Sequence, residues 1–232
     1  MSRLIISVLV GCVLLSSSCK KGCTDETASN YDEKAKKDDG TCTYSIPHVV
    51  SLDDDILFFE MDFDGVIHDE KVGYDDYVAY SSSYKNFDGS NSNAVMFTSV
   101  HSNLSQNQRA FNITKGILVY SGNWTAPETD FEAYFAPGQY AYDMVGDEEG
   151  IVLTFTDQNG VEYITNVGTQ PASSKFEVID SREEFDGSKQ RMKVHCEFNC
   201  VIYEVDNPSV SHTISNGAVS YTHLRAHETE AY

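Results

Sequence analysis

The feature that most limits how this chain can fold is a series of short runs in which every second residue is apolar. In Ile151-Val152-Leu153-Thr154-Phe155-Thr156, the side chains of Ile151, Leu153 and Phe155 fall on one side. In Met192-Lys193-Val194-His195-Cys196-Glu197-Phe198, Met192, Val194, Cys196 and Phe198 share a face and the polar residues take the other. Neighbouring side chains of an extended strand point to opposite faces, so this period sets one buried face against one wet face. That pattern belongs to antiparallel sheet, since parallel strands are covered on both sides.

Strand-like runs recur at 56–63, 77–84, 94–100, 116–120, 139–144, 151–156, 161–166, 175–179 and 192–205. Turn chemistry separates them: Asp64-Gly65, Asp88-Gly89 and Asp186-Gly187 are turn signals, and Asp157-Gln158-Asn159-Gly160 reads as a hairpin loop. One short helix is expected near 126–135. Thr125-Ala126-Pro127-Glu128 has the spacing of a capping box with Pro in the first turn, Phe131 and Phe135 fall four apart, and Pro137-Gly138 ends it. Many regularly spaced strands with one helix predict an all-β fold, an antiparallel β-sandwich. A small disulfide-stapled N-terminal segment is expected beside it.

One stretch points elsewhere. Asp62-Phe63-Asp64-Gly65-Val66 after the apolar Ile56-Leu57-Phe58-Phe59 resembles the first motif of haloacid-dehalogenase-like phosphatases, whose first Asp attacks phosphorus. That resemblance implies a parallel sheet with alternating helices, and the following hundred or so residues carry strands and turns instead. Asp62 alternates with Glu60 and Asp64 against Met61 and Phe63, so these carboxylates are expected on a wet strand face and Asp64-Gly65 in a turn. No Gly-x-Ser-x-Gly, His-Glu-x-x-His or glycine-rich phosphate loop occurs, and His48, His68, His101, His195 and His212 are scattered. No catalytic residue is assigned and the chain is expected to be non-enzymatic.

The two ends are read apart from the domain. Arg3, the apolar stretch Leu4 to Leu15 and Ser16-Ser17-Ser18-Cys19 resemble a bacterial lipoprotein signal, with residues 1–18 removed and Cys19 acylated. The apolar stretch is shorter than the ~20 residues that span a bilayer. Attached acyl chains would hold the protein on a membrane, expected to be the outer membrane of the cell envelope. At the other end, Val219-Ser220-Tyr221-Thr222-His223-Leu224-Arg225-Ala226-His227-Glu228-Thr229 back-translates to a sequence similar to a transposon-library adapter read in frame. Residues 219–232 are therefore expected to lie outside the fold, with the domain at 48–218 and truncated near Ala218, and no function is attached to His223, Arg225 or His227.

Composition narrows the partners. With 16 Lys and Arg against 36 Asp and Glu, the formal charge is −20. Such a surface repels phosphate backbones, so nucleic acid is excluded as an expected partner. Residues 19–47 form an acidic, aliphatic-poor segment that cannot build a core. A Cys23–Cys42 bridge would close a loop of about twenty residues and contribute roughly 3 kcal/mol by restricting the unfolded chain. Asp25, Asn30, Asp32, Asp38 and Asp39 are hard oxygen donors and candidate calcium ligands, although no Asp-x-Asp-x-Asp-Gly loop is present. Asp38-Asp39-Gly40 also reads as a plain turn. Cys196 and Cys200, four apart in an extended run, stand ~13 Å apart and can bridge only across a bulge or bend. Otherwise they are buried thiols, or bond a partner elsewhere. Trp124 is the candidate for stacking on a glycan.

The pattern Gly22-Cys23-Thr24-Asp25, Asn30-Tyr31-Asp32 and Asp38-Asp39-Gly40-Thr41-Cys42 resembles a segment recurrent in surface and secreted proteins of the Bacteroidota. From Phe131 to Gly217 the chain resembles a loose group of uncharacterised envelope lipoproteins of the same phylum. The resemblance runs through Phe131 to Tyr140, the Gly150 to Gly160 hairpin, Gln170 with Ser174 to Val178, Phe198 to Tyr203 and an Ile214 to Gly217 turn. It implies a structural scaffold with a binding or structural role at the envelope and brings no activity. The alternative is a carbohydrate-binding or carbohydrate-active module.

Overall fold

Alternation sets the strands, and the strands join into one sheet. The computed structural model describes residues 20–24, 31–37, 56–73, 76–87, 91–104, 106–122, 125–143, 150–185 and 190–224. The chain divides into two units, Met1–Ile46 and Pro47–Tyr232.

In the first unit, Asp32 N donates to Cys23 O at 3.0 Å, Lys36 N to Lys20 O at 2.8 Å and Gly22 N to Lys37 O at 3.2 Å. Cys23 is buried and disulfide-bonded. Its partner lies outside the described residues, where Cys42 also falls. These backbone bonds hold the described part of the segment together.

The second unit begins with β1 (Phe58–Phe63) and β2 (Val66–Lys71), then β3 (Tyr77–Phe87), β4 (Asn91–Ser102) and β5 (Ala110–Ser121). After the helix α1 (Glu128–Tyr134) come β6 (Gly138–Tyr140), β7 (Gly150–Thr156), β8 (Glu162–Ile164), β9 (Lys175–Phe185), β10 (Gln190–Glu204) and β11 (Ser211–Leu224). All ladders between these strands are antiparallel. The order is β2-β1-β11-β10-β8-β7-β5-β4-β3, and β9 lies on β10 with β6 beyond it.

The fold is therefore all-β and antiparallel as expected, but it is a single curled sheet rather than two separate ones. The long β10 makes this possible. Its first part pairs with β9, and Tyr203 and Glu204 at its end pair with β8 on the way to β7. The sheet then curls back on itself. Phe59 in β1 and Phe111 in β5 have four strands between them in the order, yet their rings stack at 5.2 Å and 18°. Phe111 stacks in turn on Phe198 of β10 at 5.2 Å and 16°, and Phe198 on Phe176 of β9 at 6.2 Å. A second group, Phe63, Phe155 and Tyr163, closes the same interior with centroids 5.2 to 6.1 Å apart. All four rings of the first stack are buried, and an aromatic pair adds ~0.5–1.5 kcal/mol to its area term.

Several local expectations change. The Asp64-Gly65 turn stands, with φ of +51° and +86°, the two positive values of a type I′ hairpin. The carboxylates before it are not all wet: Glu60 is buried, because β1 is flanked by both β2 and β11. The helix starts at Glu128 with Pro127 at its cap and no side-chain capping bond, so Thr125 is not the cap. Phe131 and Phe135 do turn inward and pack edge-on at 5.1 Å. Asn216-Gly217 is not a turn. Asn216 at φ +51° lies within β11, where both neighbouring ladders shift register. The polar face of β10 is wet only in part: Glu197 and Asn199 are exposed, but Lys193 and His195 are as buried as Val194 and Cys196.

The sheet also extends past Ala218. Residues 219–224 form the end of β11 in register with β10, from Val219 opposite Cys196 to Leu224 opposite Arg191. Val219, Tyr221 and His223 share the inward face opposite Cys196, Val194 and Met192, and Ser220 between them is buried as well.

Gly217 faces Phe198 across the ladder, and a Cβ there would lie 2.4 Å from the Phe198 ring. Phe198 cannot swing away because Phe111 and Phe176 stack against it. Gly217→Val is expected to cost about 1–3 kcal/mol by overpacking, measured as a lower urea midpoint. An unchanged midpoint would show that the aromatic stack gives way freely.

Candidate functional site

Candidate chemistry falls into four places: a charged network on β2, a lysine inside the sheet, the outward face of β3 to β5 and a carboxylate cluster of α1 and β9. The network grows from alternation on β2, which turns His68 and Glu70 inward beside Arg109, the residue just before β5. Arg109 Nη1 donates to Glu70 Oε1 at 2.5 Å, and His68 Nδ1 stands 3.8 Å from the same oxygen. Asn107 Nδ2 donates to the nearby Tyr77 hydroxyl at 3.5 Å. Burial pushes the Glu70 carboxyl up, but the His68 and Arg109 groups outweigh it and hold it below the ordinary value. His68 Nδ1 and Arg109 Nε have no hydrogen-bond partner among the described residues. The arrangement is an ion pair tying β2 to β5. No reacting pair of groups is apparent in it.

The second place is a lysine in an aromatic box. Lys115 points inward from β5 and is 5% exposed. Its Nζ lies 3.4 Å from the Tyr140 ring centroid and 4.4 Å from that of Tyr134, a cation–π arrangement. Tyr134 Oη also donates to the Lys115 carbonyl. Burial lowers the ammonium to about 8, and the Cys196 thiol opposes this only weakly. Burial pushes the Cys196 thiol up and the Cys200 thiol to about 12. Both are buried free thiols, so the bridge between them is not formed. Thiols shifted this way are poor nucleophiles at neutral pH.

The third place is a surface. On β3, Val78, Tyr80, Ser82 and Tyr84 point outward, paired with His101, Ser99, Phe97 and Val95 on β4. Tyr80, Phe97 and Tyr84 are 56%, 38% and 66% exposed. Asn112 and Thr114 of β5 continue the face opposite Ser99 and Phe97. In β3, β4 and β5 together the charged side chains are Lys85 and Lys115 only. Lys115 is inside, and Lys85 pairs with the buried Ala94 on the inward side. The chain carries 36 acidic residues, and none lies in these three strands.

The residues singled out on sequence are placed as follows. Cys19, Asp25, Asn30, Asp38, Asp39, Cys42 and Trp124 lie outside the described residues. Asp32 is engaged locally: its carboxylate pairs with Lys20 and accepts from Lys34 N at 3.0 Å, and these contacts lower its pKa. Asp62 accepts from Gly65 N at 2.5 Å within the turn. Asp64 accepts from Thr213 N at 2.8 Å and contacts His212 Nδ1 at 2.6 Å, so both carboxylates are committed to the hairpin and to β11. A separate acidic group, Glu128 and Glu132 one turn apart on α1 with Glu183 of β9, brings its oxygens within 4.8 Å. It has the oxygen chemistry of a hard-cation site. Sequence reasoning missed it, as it missed Glu70–Arg109, because the partners are far apart in the chain.

No protein family, curated protein or solved structure matches the chain.

Two titrations test the interior. Glu70→Gln is expected to destabilise the fold by on the order of 3 kcal/mol by leaving Arg109 unpaired. Because the folded carboxyl sits below its unfolded value, the advantage of wild type is full above about pH 5 and shrinks as pH falls through about 4 and lower. Urea melts at a series of acid pH values measure it, and a pH-independent difference would refute it. For Lys115 the folded value is again below the unfolded one, so the slope has the same sign at a higher pH. Between about pH 8 and 10 the unfolded chain holds this proton and the folded one does not, so wild type gains stability relative to Lys115→Met as pH rises. Comparing the two cancels the opposing thiol and phenol titrations. The gain approaches about 3 kcal/mol, and a flat difference would mean that Lys115 stays charged.

Proposed function

We propose that this chain is a non-enzymatic, lipid-anchored envelope protein of the Bacteroidota type. It would be acylated at Cys19 on the outer membrane and would present its curled sheet for binding. The observation that carries the reading is the uncharged, aromatic outward face of β3, β4 and β5 on a chain of charge −20. Exposed apolar side chains gathered on one face mark interaction surfaces. The absence of charge there, beside abundant charge elsewhere, means that this face needs no ionic repulsion from its partner.

Two observations favour a binding role over catalysis. The buried thiols are shifted away from reactivity, and the Glu70 carboxylate is taken up in an ion pair. No helix among the described residues is long and apolar enough to cross a membrane, so a tether would have to come from elsewhere, and the Ser16-Ser17-Ser18-Cys19 sequence offers one. On this reading Cys42 is the partner of the disulfide-bonded Cys23, stapling the acidic segment, and Asp25, Asp32, Asp38 and Asp39 are its candidate calcium ligands. The two facing halves of the curled sheet serve as the layers of a sandwich. Residues 219–232 are taken as adapter-encoded, with 219–224 filling the edge of β10 that another strand of the same alternation would fill. The carbohydrate-binding alternative is favoured by the same face.

Expression in a Gram-negative host with an alkyne-labelled fatty acid tests the anchor. Wild type is expected to take up label and sediment with membranes, and Cys19→Ser to lose both. Label retained by Cys19→Ser would overturn the assignment.

A further inference from the structure

The outward face of β3 and β4 is specific enough to say what it takes. Its three exposed rings form a row across two strands. Tyr80 and Tyr84 are four residues apart on β3, ~13 Å along the strand. Phe97 stands on β4 opposite Ser82, midway between them. Diagonal neighbours across an antiparallel ladder lie ~7–8 Å apart, so the rings are regularly spaced rather than clustered. Ser82 and Ser99 fill the positions between them, and Thr114 and Asn112 sit directly across from Phe97 and Ser99. The face is a repeat of flat apolar rings and small hydroxyl or amide groups without a formal charge.

We propose that this row is a binding platform for a neutral polysaccharide, held lengthwise across Tyr80, Phe97 and Tyr84. The proposal deepens the binding role above and rests on it. A sugar ring offers an apolar C–H face and an equatorial rim of hydroxyls, and the platform offers aromatic faces bordered by hydroxyl and amide groups. The match is one of charge as well. An anionic polymer would meet the field of a −20 protein, and a cationic one would find no carboxylate on β3, β4 or β5. A protein partner of ordinary composition would call for a continuous apolar centre, whereas here Ser82 separates Tyr80 from Tyr84 on β3, Ser99 flanks Phe97 on β4, and the Val95 opposite Tyr84 is buried. All three rings stand exposed, so removing them leaves the buried stack of Phe59, Phe111 and Phe198 untouched.

Affinity electrophoresis of the full chain through gels holding laminarin, xylan, mannan or glycogen tests the proposal, with polygalacturonate as the anionic control. Migration is expected to be retarded by at least one neutral polymer and not by polygalacturonate. Tyr80→Ala and Tyr84→Ala are each expected to weaken retardation at least ten-fold, Phe97→Ala to add to either, and Val167→Ala, exposed in the loop after β8, to change nothing. Equal urea midpoints for all variants exclude misfolding. Retardation by no neutral polymer, or retardation that survives the triple variant, overturns the proposal. So does a sedimentation profile in which wild type is a dimer and Tyr84→Ala a monomer, because the face would then be a self-interface. Loss of lipidation in Cys19→Ser leaves this result unchanged, so failure of the anchor and failure of the platform are read separately.

Discussion

Everything in the main unit depends on the contact of Phe59 with Phe111 and of Phe111 with Phe198. Backbone hydrogen bonds hold each strand to its neighbours, but they do not decide whether an eleven-stranded sheet lies open or closes on itself. That decision is made where side chains from distant strands meet. The stacked rings belong to β1, β5 and β10 and are almost wholly removed from water. Burying a large apolar side chain contributes ~1.5–3 kcal/mol, and here that gain is available only if the sheet curls. The stack therefore converts a local preference for extended chain into one enclosed interior.

The interior has polar features, and each is secured differently. Glu70 and Arg109 neutralise each other across β2 and β5. Lys115 has aromatic faces and, among the described residues, no carboxylate partner, so burial lowers its proton affinity. The hydroxyl of Tyr142 reaches the carbonyls of Lys175 and Asn199 at 3.1 Å each, joining the segment after β6 to β9 and β10. Gln170 does similar work between the loop after β8 and β10, donating to Val201 O at 2.5 Å and accepting from Val201 N at 3.0 Å. These bonds sit where a three-residue strand or a loop would otherwise leave backbone groups unpaired.

Much of this was legible in the residues, and the failures have physical causes. Alternation in Ile151 to Thr156 gave β7 directly, and Asp157-Gln158-Asn159-Gly160 gave its hairpin, with Asp157 Oδ1 accepting from Asn159 N and Val161 N. Asp64-Gly65 was legible because only certain residues accept two successive positive φ values. Where both faces of a strand are covered, the pattern misled: Glu60, Lys193 and His195 are polar and buried, and periodicity alone assigns them to water. Asn216-Gly217 misled because a bulge and a turn draw on the same residues. Whether the layers are two sheets or one depends on a long strand shared between neighbours, as β10 is, and on ring contacts between residues far apart in sequence. The exposed row of Tyr80, Phe97 and Tyr84 was present in the sequence, but its members become a row only once the β3–β4 register is known.

The placement of Cys196 and Cys200 has a consequence of another kind. Both thiols lie on the same central strand, both are sealed from solvent, and neither is bonded to the other. An alkylating reagent reaches them only when β10 parts from its neighbours, which is a sub-global or global opening. The strand thus carries its own clock: the rate at which its two sulfurs become modifiable counts how often the closed interior comes apart, with no label added to the chain.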